Sequence, residues 1–345
     1  MSLFPGFANV WSPVELATRL RKKPVPVRLA GERLVLFRDE SGRARALIDR
    51  CPHRGVALSL GRIVREPGGK TCLECPFHGW QFAGNGACEH VPLNPDAKRD
   101  LLAATPLPTR EIGGYIWVYT APGNEAPVEP NLSEIATDPA FLRSHLVTEW
   151  RCHWTRAMEN MLDSPHLPYV HRRTIGAGIR RVMRRDSRME MTFTPSPTGG
   201  TIRSTLDGGP EQGRLEFLKP NSMVLHLPIP GRRLLLQVHC VPLSQNETRM
   251  MVVTGRDFGR YNPLLRLFDQ TNRIIVAEDR AVVESSDPAE VPPPAQERSV
   301  ASDRPTLAFR RYYFDELRPS GQSPPIQLRT RRPSDDAGKG GSSVA

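Results

Sequence analysis

The sequence predicts an α+β protein: an all-β N-terminal module, then a second region of antiparallel strands closed by one long helix. Two observations carry this expectation. Up to about Pro122, short stretches alternating apolar and polar residues are broken by glycine and asparagine turns such as "DESGRA" and "AGNGAC", the signature of small antiparallel strands. Beyond that point longer strand-like runs are followed by "NPLLRLFDQTNRIIVAEDRAVVESS", whose apolar residues recur at helical spacing.

Taken in order, "VPVRLAGERLVLFRD", "RARALIDRC" and "GGYIWVYTA" are the clearest strands of the first module, assigned to residues 1–122. The proline-rich "APGNEAPVEPNLSEIATDP" marks a connection, and residues 123–145 are expected to be a linker. Within 146–317, "ENMLDSPHLPYVHRRT" reads as helical, while "MEMTFTPSPTGGTIRSTL", "NSMVLHLPIPGRRLLLQVHCVPL" and "TRMMVVTGRDF" read as strands. From Arg318 the composition turns to Pro, Ser, Gly and Arg, so 318–345 is expected to be a disordered tail.

Bulk properties exclude several classes. A chain of 345 residues can bury one large or two ordinary cores. No apolar run approaches the roughly 20 residues of a spanning helix, and the N-terminus lacks the basic-then-apolar order of a signal peptide; a soluble cytoplasmic protein is expected. Cys51, Cys72, Cys75, Cys88, Cys152 and Cys240 are too few for a disulfide framework. The net charge of +10 is uneven, with arginines at 172, 173, 180, 181, 184, 185 and 188. Such a run suits a solvated face, an anionic group or an acidic protein partner, but the chain shows no helix-turn-helix, RNP or zinc-finger spacing and no nucleic-acid partner is expected.

Two loops carry chemistry. "CPHRGVALSLGRI" holds Cys51-x-His53 and "CPFHGWQF" holds Cys75-x-x-His78. Structural zinc sites usually pair Cys with Cys and His with His, whereas here each loop offers one thiolate and one imidazole. That mixture fits a Rieske [2Fe-2S] centre, in which two thiolates bind one iron and two histidines the other. Pro52 and Pro76 fix the turn after each cysteine, and Gly79 allows close backbone approach. The competing zinc knuckle would use Cys72, Cys75 and His78, because "CLEC" is itself C-x-x-C.

A second constellation lies in "ENMLDSPHLPYVH". On a regular helix Asn160, Asp163 and His166 share one face, and a buried polar line is costly unless used. His171 would diverge from His166 by ~140° on an ideal helix; Pro168 is expected to open the helix between them and let them converge. Two histidines and one carboxylate with open positions suit a non-heme Fe(II) oxygenase. The carboxylate is expected from the long helix, where Asp279 has Ile275, Val276, Val282 and Val283 around it and Glu278 has Ile274, Ile275, Ala281 and Val282. Periodicity leaves both open.

Together, "DRCPHRGVALSLGRI", "CPFHGWQF", the N-x-x-D-x-x-H-x-x-x-x-H pattern and "AEDRAVVES" resemble the Rieske non-heme iron oxygenases over most of residues 5 to 315, and within them the smaller monooxygenase and demethylase members. The resemblance implies a Rieske domain followed by a helix-grip catalytic domain, arranged as a head-to-tail homotrimer. It assigns Cys51, His53, Cys75 and His78 to the cluster and leaves Cys72 as a strand residue. It selects Asp279 to join His166 and His171 at a mononuclear Fe(II), with Asn160 and Asp163 as catalytic residues that are not ligands. Asp163 is expected to orient His166 and to bond a cluster histidine of the adjacent subunit. His53 and His78 are expected at the exposed tip of the cluster. Electrons from NAD(P)H would arrive through a separate ferredoxin or reductase, O2 would be the oxidant, and a hydrophobic small molecule would be hydroxylated, demethylated or desaturated. The pocket is expected to be lined by "SMVLHLPIP", "LLLQVHC" and the helix before Asp279, with His226 and Gln237 as candidate polar anchors.

Overall fold

The computed structural model describes residues 3–66, 68–260 and 266–318. The N-terminal module contains strands β1 (Trp11–Leu16), β2 (Val25–Leu29), β3 (Glu32–Arg38), β4 (Ala44–Ile48), β5 (Arg62–Arg65) and β6 (Thr71–Glu74). It continues with β7 (Gln81–Ala83), β8 (Cys88–His90), β9 (Pro106–Leu107), β10 (Thr109–Ile112) and β11 (Tyr115–Tyr119). They form three small antiparallel sheets, ordered β1-β11-β10, β2-β3-β4-β9 and β5-β6-β7-β8.

β3 explains how this module holds two cores at once. Side chains alternate across a strand, and here both faces are apolar: Leu34 and Leu36 enter the main core, while Val35 and Phe37 enter a second, smaller core with Leu47, Cys51, Cys75 and Phe82. All four residues from Leu34 to Phe37 are fully buried, each worth about 1.5–3 kcal/mol of burial. The second core is the floor on which the two cysteine loops stand.

The following region is built on a seven-stranded antiparallel sheet. Its strands are β12 (Leu142–Trp150), β13 (Met189–Ser196), β14 (Gly199–Leu206), β15 (Glu211–Leu218), β16 (Ser222–Ile229), β17 (Arg232–Ser244) and β18 (Glu247–Arg256), in the order β12-β18-β17-β16-β15-β14-β13. Helices α1 (Glu134–Thr137), α2 (Trp154–Leu162), α3 (Leu167–Val170), α4 (Ala177–Val182), α5 (Arg266–Val283) and α6 (Arg304–Tyr312) complete it. The architecture is the expected α+β arrangement, with the long helix α5 packed near α2, α3 and β12. Backbone bonds from Ala30 and Gly31 to Pro242 and Leu243, and one from the Arg249 guanidinium to Val14 O, tie the N-terminal module to this sheet.

The connection assigned to 123–145 contains the single turn α1, and β12 starts at Leu142, where its residues pair with β18. Other expectations needed correction. The helix predicted across residues 160 to 166 stops at Leu162, and Asp163 is extended (φ −102°, ψ 128°). Pro165 prevents the helix from continuing, since it has no N–H to donate to the Met161 carbonyl and its ring would clash with it. Pro168 does not open the helix between the histidines; it occupies the first turn of α3, where its missing N–H has no partner to lose. At the C-terminal end, α6 was not anticipated. Its Arg310 is buried and bonds Glu159 of α2 and Glu297, both at 2.5 Å, which locks α6 onto the site-bearing helix. Arg318, assigned to the tail, pairs with Glu290 at 2.7 Å; the rest of the predicted tail lies outside the described residues.

Candidate metal centres

The two cysteine loops are structural twins. In the first, Cys51 N–H donates to Val56 O at 2.8 Å and Gly55 N–H to Cys51 O at 2.9 Å. In the second, Cys75 N–H donates to Trp80 O at 2.8 Å and Gly79 N–H to Cys75 O at 3.1 Å. Both turns close on a left-handed glycine, Gly55 at φ 72° and Gly79 at φ 71°, a conformation that glycine adopts without steric cost. A Cβ at Gly79 would also stand 3.0 Å from the Pro92 ring.

These turns sort the four side chains by type. Cys51 and Cys75 are each 2% exposed; burial, with the neighbouring Cys75, pushes the Cys51 thiol up to about 11. The rings of His53 and His78 meet at 4.6 Å on the outer side, and His53 stacks on Trp80 at 4.5 Å. His53 Nδ1 is buried with no partner. Two buried thiols, imidazole beside imidazole and an orphaned ring nitrogen fit a two-iron cluster with split ligation. Cys72 lies on β6, wholly buried and paired across the ladder with Val64 and Ala83, as a strand residue would be.

The second centre gathers side chains from two distant segments. Among the described residues, His166, His171 and Asp279 form a group whose donor atoms all lie within 4.8 Å of one another. His166 Nε2 is 3.5 Å and His171 Nε2 3.0 Å from Asp279 Oδ1, yet that buried oxygen has no hydrogen bond of acceptable geometry. An orphaned buried carboxylate oxygen facing two Nε2 atoms fits a cation at their centre, and the two-histidine, one-carboxylate set suits Fe(II).

The outer nitrogens are held as well. His166 Nδ1 is 3.0 Å from Asp163 Oδ2, which also accepts the His166 backbone N–H at 3.2 Å. His171 Nδ1 is 2.8 Å from Glu278 Oε2, and Thr174 Oγ1 donates to the same oxygen at 2.8 Å. Burial opposes protonation of His171, but Asp279 and Glu278 outweigh it and hold its pKa above the ordinary histidine value. The neighbouring acids on α5 thus divide the work: Asp279 meets the inner nitrogens and Glu278 one outer nitrogen. The sequence offered Glu278 only as a rival for the inner position, and nothing in it pointed to Thr174.

The trio opens into a cavity of about 110 Å³. Met223 and Leu225 of β16, Leu236 and Val238 of β17, and Ile275 and Val276 of α5 line it, as expected, together with Trp150 and Asn160. His226 and Gln237 are not on this wall. They occupy the alternate positions of β16 and β17, so they face away: His226 pairs with Glu216 at 2.9 Å, and Gln237 accepts from Ser133 Oγ at 2.6 Å.

Comparison with known proteins gives this geometry a context. Residues 10–107 match the Rieske [2Fe-2S] domain, and residues 150–314 match the vanillate O-demethylase oxygenase C-terminal domain. Chlorophyllide a oxygenase of Chlamydomonas reinhardtii is 37% identical over 52% of the chain and 26% of its own length. Pheophorbide a oxygenase of Oryza sativa subsp. japonica is 30% identical over 73% of the chain and 50% of its own length. The chain therefore spans between a quarter and a half of these curated relatives. Among solved structures, NdmA of Pseudomonas putida CBB5 superposes with a TM-score of 0.73 at 25% identity over 89% of each chain. No helix among the described residues is long and apolar enough to cross a membrane. With a Rieske domain joined to an oxygenase C-terminal domain on a shared fold, the chain belongs to the Rieske oxygenases.

Proposed function

We propose that this protein is a Rieske monooxygenase that uses O2 and external electrons to hydroxylate a hydrophobic small molecule. The observation that carries the reading is the His166, His171 and Asp279 trio opening into an apolar cavity, in a chain that also bears the paired Cys-His loops. Cys51, His53, Cys75 and His78 would hold the [2Fe-2S] cluster and His166, His171 and Asp279 an Fe(II), which together supply electron transfer and O2 activation. Asp163 and Glu278 orient the two histidines by holding each Nδ1, which leaves each Nε2 directed at the trio. The apolar wall excludes water and presents a C–H bond of the substrate to the metal side of the cavity. Oxidative O- or N-demethylation is the second reading, favoured by the demethylase-type C-terminal domain; hydroxylating a methyl group on oxygen or nitrogen leads to its loss.

Electrons would come from NAD(P)H through a separate ferredoxin or reductase. The exposed apolar residues beside the cluster loops, Leu60, Phe77 and Leu93, and those beside the trio, Tyr169, Ile175 and Val182, support two complementary faces of a homotrimer. In that assembly Asp163, 27% exposed at its side chain, would bridge His166 to a cluster histidine of the next subunit. The exposed arginines between 172 and 188 offer an acidic electron carrier a basic surface. Six cysteines, all free and buried, support a reducing compartment such as the cytoplasm. Metal analysis of the purified protein tests the reading: about three irons per chain are expected, two in the cluster and one in the trio. A protein holding zinc, or iron only in its cluster, would refute it.

A further inference from the structure

We propose that the part of the substrate enclosed by the cavity is uncharged and carries a hydrogen-bond acceptor, a carbonyl or ether oxygen, which receives the indole N–H of Trp150 and the amide N–H of Asn160. Calling that ligand a substrate rests on the oxygenase reading above; its recognition chemistry rests on the wall itself. Trp150 is 1% exposed and its Nε1 has no partner, and Asn160 Nδ2 is likewise buried and unpartnered. Both residues line the cavity, at the end of β12 and near the end of α2. A buried donor left unpaired costs about 1–3 kcal/mol, and an indole N–H can only donate. Two such donors in one largely apolar wall call for an acceptor from the ligand.

The charge of that ligand follows from the rest of the wall. Among the described lining residues none is lysine or arginine, and the two acids, Asp163 and Asp279, already face the histidines. The amide of Asn272 is spent on Thr254 Oγ1 at 2.8 Å. Away from the trio, a carboxylate enclosed here would meet no lysine or arginine, which is expensive in a dry site.

The test is equilibrium binding to the full-length iron-loaded protein with three probes of one shape: benzophenone, diphenylmethane and 4-benzoylbenzoate. Calorimetry is expected to show benzophenone binding about five- to 150-fold more tightly than diphenylmethane, the range of two neutral hydrogen bonds. The carboxylate is expected to be weaker than the ketone by at least about tenfold. Trp150→Phe and Asn160→Leu are each expected to reduce the ketone's advantage over the hydrocarbon while retaining the cluster's visible spectrum. Equal binding of ketone and hydrocarbon, preference for the carboxylate, no binding of any probe, or variants that keep the full ketone advantage would overturn the proposal. If a variant loses colour or thermal stability, the three-probe comparison on the wild type still decides. Iron content and O2 uptake on the same preparation separate the two readings: ketone preference without mononuclear iron refutes the oxygenase and leaves this inference standing, and carboxylate preference in a three-iron protein does the reverse.

Discussion

Glu278 and Asp279 are adjacent acids on one helix, and replacing each in turn separates a ligand from its support. Asp279 Oδ1 faces both Nε2 atoms, whereas Glu278 Oε2 touches His171 only at Nδ1, 2.8 Å away. Asp279→Ala removes one of three protein donors and is expected to abolish mononuclear iron, lowering total iron by about one per chain. Glu278→Ala leaves the donors in place but frees the His171 ring to rotate and weakens its basicity. Loss of such an outer carboxylate typically costs 10–100-fold in metal affinity, about 1.4–2.7 kcal/mol. Glu278→Gln, which can still accept from an Nδ1–H, is expected to fall between. The assay is Fe(II) competition against a chelator of known affinity, with cluster absorbance as the internal measure of intact protein. The reasoning is refuted if Glu278→Ala has wild-type affinity, or if Asp279→Ala retains the iron that Glu278→Ala loses.

Cys75→Ser is expected to bleach the visible spectrum and destabilise the N-terminal module, while Cys72→Ser keeps the colour; equal bleaching would restore the zinc-knuckle alternative. Asp163→Asn is expected to keep a reducible cluster and near-normal iron but to slow product formation when pre-reduced protein meets O2 and a substrate; a wild-type single-turnover rate would remove the bridging role. Burial depresses His153 and His239 to about 3 in the folded protein. Both stay neutral when folded but take up protons when unfolded below the ordinary pKa of about 6.5, so their contribution is intact above that value and is lost as pH falls toward about 3. Denaturant unfolding between pH 6 and 4 is expected to lose up to about 1.4 kcal/mol per pH unit for each histidine; a flat profile there would contradict it.

Local chemistry was legible without the fold. Cys51, His53, Cys75 and His78 were readable because each pair lies in one short turn whose proline fixes φ and whose glycine permits the left-handed closure, so spacing nearly determines geometry. His166, His171 and the acidic pair of α5 were also legible, as polar residues in apolar surroundings that burial would penalise without a purpose. Three things required the tertiary structure. The choice between Glu278 and Asp279 depends on how α5 is rotated against α3, and both had apolar neighbours at helical spacing. The break in the histidine segment came from Pro165 instead of Pro168, because a proline in a first helical turn does no harm while one placed just after a helix ends it. The cavity wall was hidden because β17 is central and buried on both faces: Leu236, Gln237 and Val238 gave no period of two, and only the packed sheet decided that the leucine and valine meet the cavity while the glutamine turns to Ser133.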